Sequence, residues 1–126
     1  MRHTEKKLFK SAFLLAAVTG ALLLTAFPAA AADGASSIVE KGKAAAFDRK
    51  KGNCLACHMT GDGTLPGNIG PPLIGMKARF PDKAKLRAQI WDSTVANPNS
   101  IMIPFGRNRV LSEEEIDQIV EYVYTL

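Results

Sequence analysis

The 126-residue sequence predicts a small all-α domain, and three observations predict it. Apolar residues recur at helical spacing in three separate stretches. No segment sustains the alternation of a strand. A Gly- and Pro-rich stretch over residues 61–75, which suits neither helix nor central strand, keeps the helical stretches apart.

Taken in order, the chain opens on a leader. Arg2, Lys6, Lys7 and Lys10 precede an almost uncharged apolar run over residues 12–26, and Phe27-Pro28 with the alanines at 29–32 offers a small-residue cleavage site. Residues 1–32 read as a secretory signal peptide, with a retained membrane anchor as the alternative. Residues 33–126 are then a single domain, exported to the periplasm. Removing the leader leaves twelve basic and eleven acidic side chains, so the net charge falls from +4 to +1. A function built on a basic patch, such as nucleic-acid or membrane-surface binding, has no support in that charge.

Ser37 with Glu40 forms a capping-box pattern that predicts a helix to about Phe47, with Ile38, Val39, Ala45, Ala46 and Phe47 as its apolar members. Arg49-Lys50-Lys51-Gly52 ends it as a basic, solvated C-terminus. A second helix is expected from about Asp82 to Ala96, ended by Asn97-Pro98, with Leu86, Ile90, Thr94 and Val95 toward one face and Trp91 beside them. Ser112 and Glu115 repeat the capping box before a third helix carrying Ile116, Ile119, Val120 and Val123, flanked by Tyr122 and Tyr124. First and last helices would cross, with Gly42 allowing close approach.

The chemistry sits in Cys54-Leu55-Ala56-Cys57-His58. C-x-x-C-H is the signature of covalent c-type haem attachment: two thiols on one face of a turn reach the two vinyl groups, and the next residue brings an imidazole to the iron. A zinc site would need a borrowed carboxylate to reach four ligands. A thioredoxin-like dithiol would need a preceding strand, which is missing. A structural disulfide is the remaining alternative. One haem c also explains how so short a domain is stabilised, and it makes an unstable apoprotein the expectation.

Loss of His3 with the leader leaves His58 as the only histidine, so the second axial ligand must differ. Met59 adjoins His58, and Met76 closes the Gly/Pro loop that begins on the His58 side. Met102 lies in Ile101-Met102-Ile103-Pro104-Phe105-Gly106, which Pro104 biases toward an extended strap. Met102 is the expected sixth ligand, since a neutral thioether favours reduced iron and raises the potential. Pro71 offers a carbonyl for the second ring nitrogen of His58. Trp91 is expected to pack, with an indole hydrogen bond to a haem propionate as the alternative. Leu73 and Trp91 complete the expected haem surroundings.

Gly52-Asn53-Cys54-Leu55-Ala56-Cys57-His58, the Pro66-Gly67-Asn68-Ile69-Gly70-Pro71-Pro72-Leu73 block and the Met102-Ile103-Pro104-Phe105-Gly106 strap together resemble the SoxX cytochromes of the bacterial sulfur-oxidation (Sox) system. The resemblance spans about residues 44–122, with Ile103 where that family usually has a second proline. It implies a class I cytochrome c fold and a SoxA-type cytochrome partner. The pair would oxidatively join thiosulfate to a cysteine of the SoxYZ carrier, an L-cysteine S-thiosulfotransferase activity. This chain would be a non-catalytic relay, taking electrons from the SoxA haem and passing them to a downstream soluble cytochrome c. A free-standing class I cytochrome c shuttle is the alternative reading.

Overall fold

The computed structural model describes residues 30–126, so nearly all of the expected leader lies outside the described residues. Five helices follow one another: α1 (Ala30–Phe47), α2 (Met76–Arg79), α3 (Lys83–Trp91), α4 (Ser93–Ala96) and α5 (Glu113–Val123). Among the described residues there is no strand, as the patterning predicts, and no helix is long and apolar enough to cross a membrane.

Helix α1 ends at Phe47 as expected but is already helical at Ala30, the first described residue, which places Ser37 inside it rather than at its cap. The alanines at 30–32, read for their small side chains as part of a cleavage site, are also strong helix formers, and they carry the helix upstream of Ser37. Ile38 correspondingly faces solvent, while Ala45 and Ala46 are buried. At α5 the capping box is complete: the Ser112 hydroxyl accepts from the Glu115 N–H and the Glu115 carboxylate accepts from the Ser112 N–H. Ile116, Ile119, Val120 and Val123 are all buried, each contributing about 2 kcal/mol of gross hydrophobic stabilisation. Tyr122, read as a flanking residue, is buried too, its ring edge-on to Phe47 at 5.8 Å between centroids.

α1 and α5 cross closely. A methyl carbon at Gly42 would stand 1.9 Å from the Gln118 carbonyl oxygen, so only glycine lets the two backbones meet.

The second expected helix is two helices. Asp92 has extended backbone and caps α4, its carboxylate accepting from the Thr94 N–H at 3.0 Å. An aspartate that satisfies downstream amides with its own side chain competes with the helical ladder, and here it wins. Leu86 and Ile90 keep their places in the core, whereas Val95, beyond the break, points into solvent. Arg87 of α3 reaches Asp117 at 2.6 Å and Glu113 at 3.2 Å, and Lys83 reaches Glu121 at 2.6 Å, so α3 and α5 are laced by ion pairs on the outside and by apolar packing within.

Candidate haem site

Asn53 adopts a left-handed conformation, which asparagine tolerates, and turns the chain into a short 3-10 turn over Cys54–Ala56. Side chains three apart eclipse one another on such a turn, so the thiols of Cys54 and Cys57 share a side. The Cys57 and His58 amides both donate to the Cys54 carbonyl, at 3.2 and 2.8 Å. Both cysteines are free thiols. Burial pushes the Cys54 thiol up to about 11, which keeps it protonated at neutral pH; a working redox dithiol requires the opposite shift. Among the described residues no three His, Cys, Asp or Glu side chains gather into a metal-binding group, so the zinc alternative has no ligand set there.

The Gly/Pro loop is fastened to this turn. Gly67 donates to the Leu55 carbonyl at 2.7 Å, Gly70 to Cys57 at 2.8 Å and Leu73 to Met59 at 2.8 Å. His58 Nδ1 lies 2.7 Å from the Pro71 carbonyl oxygen. A carbonyl only accepts, so the proton belongs to Nδ1 and Nε2 keeps its lone pair for a metal. The imidazole lies against Gly70, where a methyl carbon would stand 2.4 Å from His58 Cε1. Arg79 of α2 donates to the Pro72 carbonyl at 2.6 Å and to the Met76 sulfur at 3.3 Å. Asp62, at the start of the loop, receives Lys43 at 2.6 Å and the buried Tyr122 hydroxyl at 2.7 Å. The Lys43 ammonium and the donated hydrogen bonds hold its carboxyl down to about 2, while burial and the same carboxylate push the Tyr122 phenol up.

Cys54, Cys57, His58, Pro71, Leu73 and Met102 all line one cleft of about 820 Å³, within the 300–1,000 Å³ usual for cofactor sites. Met76 lines it too, from a fully buried position, whereas Met59 lies outside it. Trp91 is also outside. It packs against Gly106 with the Arg87 guanidinium 5.4 Å over its ring. Arg49, Lys50, Lys51 and Arg79 are the charged residues of the lining, and no acid joins them. Exposed Ile69, Ile101 and Ile103 border the same space.

The donor set fits haem c: two thiols on one side of a turn, one imidazole with its free nitrogen defined by a hydrogen bond, a thioether, and apolar walls. Sequence reasoning missed Gly70, Arg79, Ser93 and Ser100. The serines matter because both peptide groups of Met102 end on hydroxyls: its N–H on Ser100 at 3.2 Å and its carbonyl on Ser93 at 2.9 Å. The signal was the polar string Asp92-Ser93-Thr94 interrupting an otherwise amphipathic stretch.

One similar protein is an "Uncharacterized lipoprotein" of Aquifex aeolicus (strain VF5), 40% identical over 77 residues. That match takes in 60% of this chain and 37% of the relative, so the chain spans little more than a third of it. The family described as cytochrome c oxidase, cbb3-type, subunit III matches residues 39–123, from the middle of α1 to the end of α5 and across the whole cleft. With its fold, its C-x-x-C-H turn and two thirds of its length inside that match, the chain belongs to this family of cytochrome c domains.

Proposed function

We propose that the chain is the electron-relay cytochrome of a SoxAX-type, thiosulfate-oxidising complex in the periplasm. The observation that carries the relay reading is the convergence of His58, its tautomer set by Pro71, and Met102 on one cleft beside two thiols. If His58 and Met102 both held the haem iron, no position would be left for substrate. Haem tethered through Cys54 and Cys57 would supply a one-electron couple. Met102 as a neutral donor would hold that couple toward the reduced form, and Met76 is the weaker candidate because its sulfur already accepts from Arg79.

The rim of the cleft supports a partner. Ile69, Ile101 and Ile103 offer dry contact, and of the cations Lys51 is paired with Glu115 while Arg49, Lys50 and Arg79 favour a partner face of acidic character. The three motif blocks favour a SoxA-type subunit as that partner, SoxYZ as the carrier of the sulfur substrate, and a soluble cytochrome c as acceptor. Thiosulfate chemistry would then belong to the complex, with this chain its non-catalytic relay. The family match favours a second reading, a free-standing class I cytochrome c that feeds a terminal oxidase.

The purified holoprotein should accept electrons by itself, yet with thiosulfate it should show no turnover and form no product. Adding a SoxA-type subunit and SoxYZ should yield carrier-bound product while the haem here becomes reduced. Turnover by the chain alone would overturn the relay reading. Failure to bind any SoxA-type subunit, with rapid oxidation by a cbb3-type oxidase, would establish the second reading instead.

A further inference from the structure

Ser93 is completely buried, and a hydroxyl in such a place is costly unless it is bonded. It stands in the first turn of α4, immediately after the break at Asp92. A serine within an unbroken helix bonds the carbonyl four residues back; here the break turns the hydroxyl outward to the Met102 carbonyl at 2.9 Å. The strap has no ladder of its own, and Pro104 brings no N–H. Its return is tied to the same break. The Trp91 carbonyl accepts from the Gly106 and Arg107 amides at 3.1 and 3.3 Å, and Asp92 pairs with Arg107 at 2.8 Å. The helix break therefore serves as a bracket on which the strap hangs at both ends, with Ser93 bonded to the residue that carries the thioether.

We propose that Ser93 is a positioning residue that keeps Met102 on the haem iron. The inference rests on Met102 being the sixth ligand. While the strap is seated, the Ser93 hydroxyl is the partner of the Met102 carbonyl; when the strap swings away, water takes over that carbonyl. Removing the hydroxyl orphans the carbonyl only in the seated state, and so shifts the balance toward detachment by about fivefold, the net worth of one hydrogen bond.

The test uses oxidised, haem-loaded full-length protein and imidazole as a competing ligand. Ser93→Ala should tighten apparent imidazole binding about fivefold and weaken the near-red sulfur-to-iron band. Ser100→Ala, which removes the partner of the other peptide group of Met102, should act in the same direction and keeps the test open if Ser93→Ala does not load haem. Ser112→Ala, the cap of α5, lowers stability without touching the strap and should leave imidazole binding at the wild-type value. Equal imidazole affinity in Ser93→Ala, Ser100→Ala and Ser112→Ala would overturn the positioning role. Met102→Ala should abolish the band; a band that survives it and disappears in Met76→Ala would overturn the ligand assignment, and the proposal with it.

Discussion

At the scale of single residues, the site is decided by contacts one atom wide. Gly70 gives the His58 ring its seat, and Gly70→Ala forces either the ring or the loop to move. We expect it to cost about 2 kcal/mol, as overpacking of a fixed neighbour does, and to lower haem loading; urea unfolding and the ratio of haem to protein absorbance check both. Asp62 gives a pH dependence of definite sign. Its carboxyl is held down to about 2 in the folded chain, against an ordinary 3.8, so the unfolded chain takes up the proton more readily. Its contribution is complete above about pH 4 and is lost as the pH falls toward 2. Because the side chain is more than a third exposed, screening reduces its worth to about 1 kcal/mol, which Asp62→Asn should remove at pH 7 while flattening that part of the stability profile. The His58–Pro71 bond was legible in the sequence, since a proline carbonyl on stiff backbone is a free acceptor. Gly70 was not, because nothing in a string of letters says which glycine an aromatic ring will lie against.

At the scale of elements, legibility followed the locality of the signal. Helix α5 was the most legible: its cap, its acidic first turn and its apolar stripe all lie within twelve positions, Ser112 to Val123. The break between α3 and α4 could not be read from periodicity, because Leu86, Ile90 and Thr94 stay in helical phase across it; only the side chain of Asp92 announces it. Ser37 was misread as a cap for a related reason, one run of alanines satisfying two readings at once. The crossing of α1 and α5 was expected from Gly42, and the geometry there is severe. Gly42→Ala meets backbone rather than a side chain that could turn aside, so we expect a loss of about 3 kcal/mol, the upper range for overpacking, with the cleft residues unchanged. Urea unfolding of the haem-loaded protein measures it, and an unchanged midpoint would contradict the crossing.

At the scale of the whole molecule, a short chain is held by three devices acting together: an apolar core shared by α1, α3 and α5, the laced loop around His58, and ion pairs on the surface. The ion pairs are exposed and individually worth little, so raising sodium chloride to about 1 M should lower the thermal midpoint only slightly. The haem is a larger matter. A Cys54→Ser/Cys57→Ser chain leaves the cleft walls without the ring they enclose, and it should lose most of its cooperative unfolding transition, read by circular dichroism during urea titration. The meeting of α1 with α5 also orders events in time. Synthesis proceeds from the amino end, so the contact that closes the fold has to wait for the last residues to emerge. A chain cut short before Ser112 should therefore stay open to protease even with haem attached, whereas the full chain, with α5 packed on α1, should resist it.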